Sequence, residues 1–207
     1  MAVEIREARG AAEVEAAGRV TVAANAEFAP ADPDSPFQLS WARYLAEMAD
    51  AGRRAAEGVL LVAVDKGGRV IGTVTLYLAA PPNSMQWRPD DAMFRLLAVD
   101  PAARGRGVGR ALVQACLDRA RAAGKRRMTL HTTEWMAVAR AMYERAGFRR
   151  EPEGDVQLPG VALIAYAADL GGQPRRQQPG SCGGGTRPTL CRKASTTWGP
   201  ANWKVCR

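Results

Sequence analysis

The sequence predicts an α/β domain built on one long, mixed sheet. Three observations lead there. Over residues 1–170, short apolar runs with strand character alternate with stretches of helical rhythm. Val59–Asp65 and Val70–Leu78 flank the turn Lys66-Gly-Gly-Arg69, which reads as a hairpin. The apolar run Ala92–Val99 passes through a glycine-rich loop straight into a helical pattern at Val108, the connection expected where a helix packs back onto a sheet.

Taken in order, Val3–Arg9 reads as a first strand. Ala11–Asn25 and Ser40–Ala56 read as helices, with the apolar rhythms Val14, Ala17, Val22 and Trp41, Leu45, Met48. Between them Phe28–Phe37 is a proline-rich loop. In the hairpin's second strand Gly72 marks a bulge or a close backbone approach. Pro81-Pro-Asn-Ser84 breaks the chain before the strand Ala92–Val99. Val108–Ala123 is amphipathic, with Val108, Leu112 and Ala115 on its apolar face, and Gly124 stops it. Arg127–Thr133 is a strand, Met136–Ala146 a helix closed by Gly147, and Val161–Ala167 the last strand. No internal repeat is present.

Residues 171–207 change character abruptly. Gly, Pro, Arg and Ser dominate, no period is visible, and apolar residues are too few to offset chain entropy, so a disordered tail is expected. The chain's formal charge of +8 belongs to this tail: it holds seven basic residues and no Asp or Glu, leaving 22 basic against 21 acidic residues in 1–170. A nearly neutral body argues against a nucleic-acid-binding domain, though a basic arm or an out-of-frame end remain readings of the tail. Cys182, Cys191 and Cys206 lie in the tail at spacings that match no zinc or CxxC pattern, and Cys116 sits in a helix, so no metal site is expected. With no long apolar run at the N-terminus and no stretch long enough to span a membrane, a cytoplasmic protein with no membrane partner is expected.

The informative stretch is Val99-Asp-Pro-Ala-Ala-Arg-Gly-Arg-Gly-Val-Gly-Arg110. Glycines let a backbone turn tightly and approach a ligand. Amide N–H groups at a helix start, aided by the helix dipole, form an anion site, and Arg104, Arg106 and Arg110 add positive charge. A phosphate or pyrophosphate ligand follows, set against a glycine-rich connection that binds nothing. A Walker loop is excluded because the Lys-Ser/Thr pair is missing. A dinucleotide fingerprint is excluded because Gly105, Gly107 and Gly109 are spaced Gly-x-Gly-x-Gly.

Arg104-Gly-Arg-Gly-Val-Gly109 resembles the Arg/Gln-x-x-Gly-x-Gly/Ala signature of the GNAT acetyltransferase superfamily, and Leu96-Leu-Ala-Val-Asp-Pro101 resembles that family's fourth strand and its exit. Ala139-Arg-Ala-Met-Tyr-Glu-Arg-Ala-Gly-Phe148 resembles its Ala-x-x-Leu-Tyr-x-x-x-Gly-Phe segment. The likeness covers the body, 1–170, and none of the tail. It implies the GNAT acyl-CoA N-acyltransferase fold, a mixed central sheet flanked by helices with splayed fourth and fifth strands. It also implies acetyl-CoA as co-substrate. The pyrophosphate would lie on Arg104, Gly105, Arg106, Gly107, Val108, Gly109 and Arg110, and the pantetheine arm would pair with Leu97, Ala98 and Val99. A backbone N–H, that of Val99, would polarise the thioester carbonyl. Met136 stands where the family often places an Asn that touches the cofactor, so one polar contact is expected to be missing.

Tyr143 occupies the family's tyrosine position, from which a phenol can protonate the departing thiolate. A ring that only packs beneath the helix is the alternative. No motif fixes the base that deprotonates the acceptor. His131, the chain's single histidine, and Glu134 at the strand end are candidates, each also readable as a structural or solvated group. Phe28, Asp32, Asp34, Phe37 and Trp41 are candidates for the acceptor site, and Gln86-Trp87-Arg88 for the same cleft. The function these readings imply is transfer of an acetyl group to a primary amine, the expected partners being small-molecule or peptide amines, with a monomer or homodimer. A protein N-terminus or lysine as acceptor, and a non-catalytic acyl-CoA-binding regulator, are the rivals.

Overall fold

A parallel strand pair that opens partway along its length is the feature that organises this molecule. The computed structural model describes residues 3–30, 32, 37–81, 87–158 and 160–171, all within one unit spanning residues 1–173. The elements are β1 (Glu4–Glu7), α1 (Gly10–Asn25), α2 (Phe37–Ala49), α3 (Ala51–Glu57), β2 (Val59–Val64), β3 (Val70–Tyr77), β4 (Asp91–Val99), α4 (Val108–Ala122), β5 (Arg127–Thr132), α5 (Ala137–Arg145), β6 (Arg149–Arg150), β7 (Val156–Leu158) and β8 (Val161–Asp169). Short 3₁₀ turns lie at Ala26–Phe28, Pro101–Ala103 and Pro152–Gly154. The strand order is β1-β2-β3-β4-β5-β8-β6, with β7 paired to β8. Only β4 and β5 run parallel among these pairs.

Both faces of the sheet are covered, as alternation along β2 shows. Leu61 and Ala63 join the core beneath α4 and α5, which includes Leu112, Val113, Cys116, Tyr143 and Phe148. Leu60, Val62 and Val64 join the core beneath α1 and α3, with Ala17, Val20 and Ala51. Gly72 meets both expectations placed on it. The register shifts beside its partner Ala63, and a Cβ there would come within 2.9 Å of Val108 Cγ1 and 3.1 Å of Leu112 Cδ1. The missing side chain is what lets α4 lie on the sheet.

The expected helix Ser40–Ala56 is two helices. Asp50 breaks it, and its carboxylate accepts the Arg53 N–H as the cap of α3. Arg54 of α3 is 1% exposed and donates to Thr21, Thr75 and the Met48 carbonyl, tying α1, β3 and the end of α2 together. β6 and β7 were not expected from the sequence. The loop residues 33–36, including Asp34, and the tail beyond Gly171 lie outside the described residues. Trp87 sits under the Lys125 ammonium, 5.7 Å from the ring centre, at the start of β4 and β5. It is therefore at the opposite end of the parallel pair from Val99, which corrects its expected place in the acceptor cleft; Gln86 lies outside the described residues.

Candidate active site

β4 and β5 pair only through Asp91–Arg127, Ala92–Met128 and Met93–Thr129. Beyond that, both strands continue without pairing to each other, and a gap opens toward their C-terminal ends. On its other side β4 stays bonded to β3, but the register slips between Thr73 and Thr75 opposite Ala98 and Arg95. Leu96 takes φ +53°, the left-handed conformation, at this bulge. The bulge reverses which residues face which side: Ala92 and Phe94 face the α4–α5 core before it, and Leu97 and Val99 after it, while Ala98 faces α1.

The backbone at the end of β4 is set by one further bond. The Asp100 N–H donates to the Ile71 carbonyl at 2.9 Å. Because successive N–H groups of a strand point to opposite sides, the Val99 N–H points away from β3, into the gap. Asp100 then caps the turn at Pro101–Ala103, accepting from Ala102 N–H at 2.9 Å.

The glycine loop follows. Gly105 and Gly107 have φ +74° and +79°, and Gly107 is the N-cap of α4, so both positions need glycine. Gly109 is helical and serves differently: a Cβ there would lie 3.3 Å from Met142 Sδ and 3.6 Å from Val99 Cγ2. That glycine is where the start of α4, the end of β4 and α5 meet. The amides of Gly105, Gly107, Val108, Gly109 and Arg110 donate to no acceptor among the described residues. Five donors at the positive end of a 15-residue helix fit a diphosphate.

The loop's arginines divide. Arg110 is exposed and forms no ion pair among the described residues. Arg104, expected on the phosphate, points elsewhere. Its Nη2 donates to the Ala24 carbonyl at 2.9 Å, and its Nη1 lies 2.7 Å from Glu27 Oε1.

Tyr143, on α5, is 6% exposed and packs its ring on Phe94 and Phe148 with centroids 5.8 and 6.0 Å away. Burial raises its phenol well above the ordinary range, and its hydroxyl makes no hydrogen bond among the described residues. Met136 caps α5, with its sulfur accepting from Thr132 Oγ1 at 3.5 Å. His131 faces the other side of β5, exposed, with Nε2 bonded to the Gly154 carbonyl at 2.9 Å. A carbonyl only accepts, so that nitrogen carries the proton and Nδ1 is left as the basic atom. Glu134 is exposed, and its backbone carbonyl accepts from Arg140.

At the same end of the sheet lies a cleft of about 430 Å³ lined by Glu27, Phe28, Ala29, Trp135 and Gly160. Of the sequence's acceptor candidates it includes Phe28. Trp41 is 6% exposed and rests against Tyr44, its ring centroid 6.1 Å away, so it belongs to the interior. Asp32 is exposed and outside this lining, and of Phe37 only the backbone is described. Glu27, Trp135 and Gly160 are functional candidates the sequence reading missed. Glu27 lies more than a hundred residues from Trp135 and Gly160, and only the fold joins them; the weak signal was a large aromatic, Trp135, just past the end of a strand.

Known proteins resemble this chain in sequence and in fold. The sequence profile of the acetyltransferase (GNAT) family matches residues 21–148. A mycothiol acetyltransferase from Beutenbergia cavernae is 51% identical over 62 residues, which are 29% of this chain and 21% of that protein, so the match spans about a fifth of its length. A GCN5-related N-acetyltransferase from Kribbella flavida superposes with TM-score 0.58 at 25% identity, covering 81% of this chain and 98% of that one. An acetyltransferase from Salmonella typhimurium, solved with acetyl-CoA, gives TM-score 0.56 at 21% identity over 88% of this chain and all of the other.

Proposed function

The chain belongs to the acetyltransferase (GNAT) family, and on that premise we propose that it transfers an acetyl group from acetyl-CoA to the primary amine of a small molecule. The observation that carries this is the juxtaposition at the β4 terminus: an N–H aimed into an open strand gap beside the amides of Gly105, Gly107, Val108, Gly109 and Arg110, which donate to no acceptor among the described residues. Acetyl-CoA supplies the activated acetyl group and a thiolate leaving group. The amides of Gly105 to Arg110 hold its diphosphate, and the edges of β4 and β5 take its amide-bearing arm as a strand would be taken. The Val99 N–H donates to the thioester oxygen as negative charge develops there, an effect typically worth about 3 kcal/mol.

The reaction balances with three groups. The acceptor ammonium gives its proton to a base, either His131 Nδ1 or the Glu134 carboxylate, directly or through water. The free amine forms the N–C bond, the C–S bond breaks, and the second proton on nitrogen passes through water to the Tyr143 oxygen, restoring the phenol that protonates the sulfur. Tyr143 gives its proton to the departing sulfur, and burial keeps that phenol protonated for the purpose. No covalent bond to the protein is needed, and Cys116 suits none: it is buried, with its thiol pushed up to about 12.

The cleft is open to solvent, and the rings of Phe28 and Trp135 in its lining, on which a compact apolar body can pack, are the ground for proposing a small amine over a protein N-terminus or lysine. A cytoplasmic site of action belongs to the same proposal. The test is release of free thiol from acetyl-CoA across a panel of primary amines. Amine-dependent release is the expected result. Tight acetyl-CoA binding with no release would identify an acyl-CoA-binding regulator instead.

A further inference from the structure

The Arg104 side chain joins the donor loop to the acceptor cleft. Backbone amides of the loop face the helix start, but its first guanidinium reaches back to the end of α1, bonding the Ala24 carbonyl and pairing with Glu27. Glu27 lines the cleft together with Phe28 and Trp135. Trp135 is 49% exposed, unusually open for so large an apolar ring. One Glu27 oxygen is held by Arg104. The other accepts no hydrogen bond among the described residues.

We propose that Glu27 is the carboxylate that recognises the acceptor's ammonium, and that Arg104 is a positioning residue that holds Glu27 in the cleft wall rather than a phosphate ligand. This rests on the acetyltransferase reading. A carboxylate can accept from several donors at once, so the open oxygen of Glu27 can receive an ammonium while Oε1 stays with Arg104. Phe28 and Trp135 supply ring faces that favour both a cation and an apolar body. The ligand class that follows is a primary amine, singly charged, on an aromatic or branched apolar body. A zwitterionic amino acid fits less well, because its own carboxylate would meet Glu27.

As an ion pair between half-exposed groups, Arg104–Glu27 adds little to stability, so its consequence is read in binding and not in unfolding. The test compares the full-length chain with Glu27→Gln and Arg104→Gln. Three quantities are measured: KM for the best amine of a panel of arylalkyl and branched alkyl amines, inhibition by the primary alcohol of the same shape, and acetyl-CoA affinity by calorimetry. Glu27→Gln is expected to raise the amine KM about tenfold or more, the loss typical of a charged hydrogen-bond partner. The alcohol's inhibition constant should stay within about twofold, because it carries no charge. Arg104→Gln should raise the amine KM about three- to tenfold, with acetyl-CoA affinity within about twofold.

Equal losses for amine and alcohol would show that Glu27 only shapes the cleft and would overturn its assignment. A tenfold loss of acetyl-CoA affinity in Arg104→Gln, with the amine KM unchanged, would make Arg104 a donor ligand and overturn its role. Acetyl-CoA binding by the unmodified chain, with turnover of other primary amines but of none in this panel, would overturn the ligand class. Absence of acetyl-CoA binding would sink the acetyltransferase reading itself, which is a separate outcome.

Discussion

Tyr143 sits where two demands meet. Its ring is part of the core with Phe94 and Phe148, and its hydroxyl is the proposed acid. Removing the hydroxyl leaves the packing almost unchanged, so Tyr143→Phe should fold normally, retain acetyl-CoA affinity, and lose about 10- to 100-fold in kcat. Full turnover in that variant would return Tyr143 to a purely structural role. Because burial raises its phenol, the acid form persists through the neutral range, and no fall in rate from its ionisation is expected below about pH 10. At this scale the sequence spoke clearly where a backbone demand singles out one residue type. Gly105 and Gly107 stand at positive φ, and only glycine takes that conformation freely. The type of Arg104, a cation in a phosphate loop, says nothing about which way its side chain turns, and in the structure it turns to the Ala24 carbonyl and Glu27.

At the scale of elements, two junctions hold the site in place. The first is Gly72 under α4. In Gly72→Ala the new methyl would press on Val108, on Leu112 and on the Ala98 carbonyl at 3.2 Å. We expect a loss of about 1–3 kcal/mol in chemical denaturation and weaker acetyl-CoA binding, since Val108 opens the helix that carries the loop. Wild-type stability in that variant would mean α4 does not rest on β3 as described. The second junction is β1 to α1, where Glu13 accepts from Arg6 at 2.7 and 2.8 Å and from the Arg9 N–H at 2.6 Å. The Arg6 guanidinium chiefly holds the Glu13 carboxyl down to about 2. A carboxyl depressed in the folded state stabilises it fully above the ordinary carboxylate range, and that stabilisation is lost as pH falls from about 4.5 to about 2. Glu13→Gln should therefore lower the unfolding midpoint at pH 7 and cease to do so near pH 2; a difference independent of pH would contradict the pairing. The elements the sequence reading missed have a common cause. Asp50 interrupts a rhythm, Trp41, Leu45, Met48, that runs on past it in the sequence, and a cap is visible only once its carboxylate has an N–H to accept. β6 and β7, at two and three residues, are too short to show alternation.

For the molecule as a whole, the sheet both builds and opens the site. Pairing β4 with β5 at one end and separating them at the other places the Val99 N–H, the glycine loop and the aromatic cleft at the same C-terminal edge, where ligands of open α/β sheets bind. The order of strands and helices was legible in the apolar rhythms of the chain, and the splay through the resemblance of two motifs. The cleft was not, because Glu27, Trp135 and Gly160 come from three distant segments. The central claim is that the glycine loop and the strand gap hold acetyl-CoA. It is tested most directly by following thermal unfolding with and without acetyl-CoA. At a concentration about 100-fold above Kd, binding should stabilise the fold by about 2.7 kcal/mol, a rise of roughly 5 °C or more in midpoint for a domain of this size. An unchanged midpoint at millimolar acetyl-CoA would contradict the account.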